Sequence, residues 1–179
     1  LDDSCATCHM EETPPPPDLA YNLGGANHTF YAANTICENC HSVITADDIQ
    51  APTEMMLTEI HHQLGEAWEK VAVGTLVGGT TIDLDGEATI DNASDIMSVV
   101  FSETRGRQAL IFTLSDSMEY GPYGVGNIDV VPTEGDPYAI WTIAPDNLLK
   151  SGWNFLLVES DGSLGVHNPE FAEEVLEKT

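Results

Sequence analysis

The sequence predicts an α+β chain: an irregular N-terminal segment and one long helix, then an antiparallel β-sandwich-like unit, then a short C-terminal helix. Three observations predict it. The first 45 residues are broken by Pro14-Pro15-Pro16-Pro17 and by Asn22-Leu23-Gly24-Gly25 and show little regular pattern. Residues 47–71 space their apolar side chains three and four apart, the period of a helix. Beyond them come short runs rich in β-branched and aromatic residues, each closed by Gly, Asp, Asn or Pro. The chain divides accordingly into residues 1–70, a β-rich inserted unit over 71–150, and a C-terminal strand and helix over 151–179.

In the irregular segment the four prolines read as a polyproline II spacer, and the Gly24-Gly25 stretch as a loop. So long an irregular stretch is unusual in a compact domain unless something other than side chains organises it. Two copies of one motif point to that organiser. Ser4-Cys5-Ala6-Thr7-Cys8-His9 and Ile36-Cys37-Glu38-Asn39-Cys40-His41 are both C-x-x-C-H, the attachment signature of a c-type haem. Two thiols three positions apart reach the vinyl groups along one porphyrin edge, and the adjacent histidine falls under the iron. The copies use all four cysteines of the chain. Two covalently attached haems c are expected, one on Cys5 and Cys8 with His9 as proximal ligand, the other on Cys37 and Cys40 with His41.

The competing reading is one Zn²⁺ held by four thiolates. It meets a gap of 28 residues between the cysteine pairs, longer than the usual ribbon spacing. It also gives the two adjacent histidines no role. A thioredoxin-type redox pair fits less well, because neither motif lies in a βαβ pattern.

The long helix over 47–71 is capped by Asp47 or Asp48, with Pro52 near its first turn. Met56, Ile60, Leu64, Ala67 and Val71 form its expected buried stripe. His61 flanks that stripe, while His62 lies with Glu59, Glu66 and Glu69 on the polar face. Strands are expected over 71–77, 80–84, 88–90, 96–101, 109–114, 124–131, 139–143 and 155–158. Asp83-Leu84-Asp85-Gly86-Glu87 resembles part of a calcium loop but lacks the full twelve-residue ligand pattern, so a hairpin turn is expected there. At the end, Asn168 reads as an N-cap, Pro169 as the first helical position and Glu170 as a favourable charge at the helix start. His167 is thereby fixed at a corner just before a helix.

Charge narrows the function classes. Against 5 basic residues stand 30 acidic ones, a net −25, and the first 69 residues contain no Lys or Arg. Such a surface repels nucleic acid and anionic lipid. It suits either a solvated coat in high salt, where screening removes self-repulsion, or a docking face for cationic partners; the spread of acids along the whole chain favours the coat. No apolar run approaches the roughly 20 residues needed to cross a bilayer. The chain opens at Leu1-Asp2-Asp3 without Met, and c-type attachment takes place outside the cytoplasm, so an export signal is expected to have been removed. Asn27-His28-Thr29 and Asn92-Ala93-Ser94 are sequons for N-glycosylation.

Six histidines are present, and two are proximal by motif, leaving His28, His61, His62 and His167 for two open axial positions. Met55, Met56, Met97 and Met118 read more simply as core filler than as ligands, and Met10 is too close to its own haem to reach the far face. Bis-histidine ligation is the expectation, with a correspondingly low reduction potential. His28 lies in the loop between the motifs, where little but haem organises the chain. His167 sits at its helix corner, His61 beside an apolar stripe, and His62 among glutamates.

At these residues the chain resembles the closing module of the multihaem c-type cytochromes. Cys5-Ala6-Thr7-Cys8-His9-Met10, then Asn27-His28-Thr29-Phe30 leading into Ile36-Cys37-Glu38-Asn39-Cys40-His41, and last Asp161-Gly162-Ser163-Leu164-Gly165-Val166-His167-Asn168-Pro169-Glu170-Phe171 carry the resemblance. It covers residues 1–70 and 151–179. In that family a histidine ahead of the next motif commonly serves the preceding haem. The resemblance thus implies His28 for the haem on Cys5 and Cys8, and His167 for the other. Some members polymerise into extracellular filaments of stacked haems, sometimes borrowing an axial histidine from the next subunit.

With both irons six-coordinate no substrate site remains, so a secreted or cell-surface electron carrier is expected rather than an enzyme. The expected partners are further copies of the chain in a homopolymer, other redox proteins and extracellular electron acceptors. A first haem close to the chain start, surplus histidines and strand edges motivate the filament. The alternatives are a soluble monomeric dihaem carrier, or a small haem enzyme (a peroxidase or nitrogen-oxide reductase) with one open axial site.

Overall fold

A computed structural model describes residues 46–134, 141–143 and 145–179. The chain divides into two compact units, Leu1–Ala51 and Pro52–Thr179; the elements below lie in the second, save the start of the first helix. That helix, α1 (Ala46–Val77), runs for 32 residues with Pro52 inside it. Its buried face is Leu57, Leu64, Trp68, Ala72 and Leu76. The expected stripe is therefore rotated: Met56, Ile60 and Val71 pack on the flank of the core rather than at its centre. His61 falls on the buried stripe itself, four residues after Leu57 and three before Leu64. Gly65 lies where α1 passes a strand, and a Cβ there would stand 3.0 Å from the Val99 carbonyl oxygen. A glycine lets the two backbones approach so closely.

Residues 71–77, expected as a strand, are the last two turns of α1. Their β-branched content favours a strand locally, but Trp68, Ala72 and Leu76 continue the helical spacing and bury along it. The helix stops at Gly78 and Gly79, whose amides return to the Thr75 and Leu76 carbonyls at 3.0 and 3.2 Å; Gly79 has φ +80, the left-handed conformation common past a helix end.

The strands then follow: β1 (Thr80–Leu84), β2 (Ala88–Ile90), β3 (Ile96–Thr104), β4 (Arg107–Leu114), β5 (Glu119–Gly124), β6 (Ile128–Pro132) and β7 (Trp141–Thr142). They form two antiparallel sheets, one ordered β2-β1-β6-β7 and one ordered β3-β4-β5. In the first, Ile82 faces Val130 and Leu84 faces Ile128 across the β1–β6 ladder, and all four are fully buried. In the second, Phe101 faces Leu110 and Val99 faces Phe112. Completely burying a side chain of this size contributes about 1.5–3 kcal/mol, so these pairs anchor the sheets. The 83–87 stretch is the β1–β2 turn, as expected, with the Gly86 amide donating to Asp83 Oδ1 at 2.6 Å.

Several expectations are corrected. Residues 124–131 are not one strand: β5 ends at Gly124, a 3₁₀ turn covers Val125–Asn127, and β6 begins at Ile128. Met55, Met97 and Met118 are not core filler; they are 73, 64 and 60 % exposed. Met97 sits at the irregularity between Ile96 and Ser98, which turns it out of the core alternation. Residues 155–158, expected as a strand, are the last turn of α2 (Asp146–Glu159). Gly152, Phe155, Leu156 and Val158 of α2 are buried, a helical spacing that decides against the strand. The chain closes with α3 (Pro169–Glu177), whose Asn168 Oδ1 accepts from the Phe171 amide at 3.3 Å and whose first turn holds Pro169 and Glu170, as the sequence predicts.

Candidate functional site

Of the expected haem residues, Cys5, Cys8, His9, His28, Cys37, Cys40 and His41 lie outside the described residues. The described histidines sit in three different settings. His62 is exposed on α1, with Nδ1 3.7 Å from Glu66 Oε1 one turn on. His61 is half-buried; its ring centroid lies 6.1 Å from that of Phe101, edge to face, and 5.7 Å from that of Phe155. Phe101 and Phe155 are themselves T-shaped at 5.6 Å. His61 thus completes an aromatic cluster between α1, β3 and α2.

His167 occupies the corner between α2 and α3. The chain reverses there through Gly162, Leu164 and Gly165, at φ +67, +51 and +87. Asp161 organises the turn. One of its carboxylate oxygens accepts from the Ser163 hydroxyl, and the other lies 2.9 Å from His167 Nδ1. The His167 amide donates to Ser163 Oγ at 3.3 Å, and the Asn168 amide to the Gly165 carbonyl at 3.2 Å. The Ser163 bond first, and the His167 bond second, hold the Asp161 carboxyl below the ordinary carboxylate range. An ionised carboxylate only accepts hydrogen bonds, so Nδ1 is the donor. Whenever the ring is uncharged its lone pair is then on Nε2, the arrangement in which a carboxylate sets the tautomer of a metal-binding histidine.

The surroundings of this ring are apolar. Leu157, Val158, Gly165, Phe171 and Ala172 line a cleft of about 150 Å³, with Asp161, His167 and Asn168 at its polar edge. Leu157 and Phe171 are 55 and 46 % exposed, and Trp153, one turn before Leu157 on α2, is 55 % exposed. Pockets that engulf a ligand of drug size run to roughly 300–1,000 Å³. This cleft is smaller, so it covers at most part of such a ligand, against Leu157 and Phe171. His61 and this cleft meet the same helix: Phe155 of α2 touches the His61 ring, and Leu157 and Val158 of α2 line the cleft.

Asp161 and the Leu157–Phe171 pair are functional candidates to which the sequence by itself assigns no role. An acid six positions before the histidine, across an Asp-Gly-Ser-Leu-Gly turn, was the available signal for Asp161. Among the described residues no group of three or more His, Cys, Asp or Glu side chains forms a chelating metal site, and no helix is long and apolar enough to cross a membrane.

Asp161 makes the corner sensitive to acid. A depressed carboxyl pKa contributes stability above the ordinary value, and that contribution is lost as the pH falls through the lowered one. A carbon-13 titration should place the Asp161 midpoint below that of an exposed aspartate without such bonds. Ser163→Ala should raise that midpoint. No family description, curated protein or solved structure matches the chain.

Proposed function

We propose that this chain is a dihaem c-type cytochrome that carries electrons outside the cytoplasm. The observation that carries the reading is the pair of C-x-x-C-H motifs taking up all four cysteines. The 161–171 corner supports it separately. Its donor chemistry fits a haem iron: one imidazole, oriented by a carboxylate, stands at the edge of an apolar cleft. When bound, the two haems supply one-electron iron chemistry.

The roles of the chain's own residues follow. Cys5, Cys8, Cys37 and Cys40 anchor the porphyrins, and His9 and His41 are the proximal ligands. His28 and His167 would supply the remaining iron ligands, with His61 the further candidate. Asp161 holds the His167 ring in one orientation and one tautomer. Leu157 and Phe171 offer apolar contact. Histidine ligation by these residues would favour a low reduction potential and would suit the irons to carrying electrons, so on this reading the protein is a carrier rather than an enzyme.

The assembly reading is a homopolymer that passes electrons between copies and on to other redox proteins or extracellular acceptors. Open sheet edges support it: among the described residues β2, β7, β3 and β5 end their sheets, and such edges pair readily with another chain. The test is the absorption spectrum and intact mass of protein purified with its cofactors. Two covalent haems per chain, low-spin in both oxidation states and inert to carbon monoxide, are expected. A colourless protein, or rapid carbon monoxide binding on reduction, overturns the reading. Electron microscopy checks the polymer, and discrete monomers at high concentration would count against it.

A further inference from the structure

The chain has only two arginines, Arg105 and Arg107, and they flank Gly106 at the turn between β3 and β4. Both line a polar cleft of about 570 Å³ with Thr104, Asn127, Gly124 and Gly126. A Cβ on Gly124 or Gly126 would meet nothing within 4 Å, so this wall is open backbone. In a chain of net charge −25, each guanidinium is expected to be neutralised by a carboxylate. Neither is: among the described residues the ion pairs involve His62, Lys70, His167 and Lys178.

The nearby carboxylates are engaged elsewhere. Glu103 accepts from the Gly106 amide. Glu87 accepts from the Tyr123 hydroxyl at 2.7 Å, and Asp83 from the Gly86 amide at 2.6 Å. Burial, and then the bond to Glu87, push the Tyr123 hydroxyl up to about 12, so it remains a neutral donor fastened to Glu87. Among the described residues Asp85 is the one carboxylate on the cleft wall, against two guanidinium groups. The turn itself favours other residues. Arg105 and Gly106 have φ +54 and +72, the pair of left-handed positions that two-residue hairpins fill with Asn, Asp or Gly. An arginine stands there against the local preference.

We propose that this hairpin tip and the adjoining 124–127 turn bind a small polyvalent oxyanion, a phosphate-bearing or multiply carboxylated molecule. Guanidinium forks match such oxygens with paired, charge-assisted hydrogen bonds, which a singly charged spherical ion cannot exploit. The inference is independent of the haem reading.

Calorimetric titration of the full-length protein with inorganic phosphate, and separately with citrate, tests it, with ionic strength held constant by sodium chloride. One saturable site is expected for at least one of the two. Phosphate alone would assign phosphate-bearing ligands, and citrate alone carboxylates. Arg107→Gln should weaken binding by about tenfold, and the double variant with Arg105→Gln should abolish it. Arg105→Asn keeps a residue the turn favours, so it should weaken binding without loss of fold, as circular dichroism would show. Absence of saturable binding of both anions, or wild-type affinity in the folded double variant, overturns the proposal.

Discussion

Replacing His167 with alanine in the haem-loaded protein is expected to convert one of the two haems, and only one, from low-spin to high-spin. The reduced variant should then bind carbon monoxide at half its irons. The expectation combines the proposed ligation with the corner described above, where the ring is held by Asp161 at 2.9 Å beside an apolar cleft. Asp161→Asn should act more gently. It keeps a polar partner but removes the charge that fixes the tautomer, and losses of about 10–100-fold in metal affinity accompany changes of this kind. His62→Ala should leave both haems unchanged, because that ring stands exposed beside Glu66. His61→Leu tests the further candidate: with His28 and His167 as the ligands both haems should stay low-spin, and loss of one would bring His61, whose ring packs against Phe101 and Phe155, into the ligand set. Magnetic circular dichroism and electron paramagnetic resonance read the outcome. Retention of two low-spin haems in His167→Ala would remove this residue from the ligand set.

Gly121→Ala should destabilise the β unit by about 3–4 kcal/mol, among the larger losses a single substitution produces. Gly121 has φ +122, where an L side chain is strained. The added Cβ would also lie 2.6 Å from the Leu110 carbonyl oxygen, 3.1 Å from the Tyr123 amide nitrogen and 3.3 Å from Ile111 Cα. All three are backbone atoms of the β4–β5 pair, so no side-chain rotation relieves the contact. The glycine sits where the ladder shifts register between Leu110 and Phe112, next to the buried Tyr123 and Phe112. Gly74→Ala is the matched control. It lies in α1 with nothing within 4 Å of its Cβ, and alanine there should stabilise by about 0.5–1 kcal/mol. Denaturant unfolding at fixed salt gives both numbers. Equal stability of Gly121→Ala and wild type would contradict the described ladder.

The parts of this fold that were legible in the sequence are those governed by local chemistry. Asn168, Pro169 and Glu170 mark a helix start through capping alone, and Asp85-Gly86 marks a hairpin turn. The misread parts are those in which burial overrides local preference. Residues 71–77 and 155–158 have strand-like composition, yet Ala72 and Leu76, and Phe155 with Leu156, bury at helical spacing. β5 went unrecognised because Gly121, Pro122 and Gly124 read as breakers; it survives as the edge of a three-stranded sheet, where a proline costs no ladder bond. The helix corner that carries His167 was legible from Asn168 and Pro169. Asp161 was not, because its role depends on a turn that brings it back over six residues.

The exposure of that corner has an electrical consequence. If His167 holds an iron as proposed, its imidazole, 54 % exposed among the described residues, would offer a redox partner one haem ligand at the protein surface. Traffic would then be limited by how often a partner arrives. With the acidic surface of this chain, arrival should be fastest for positively charged visitors and should slow as added electrolyte masks the attraction.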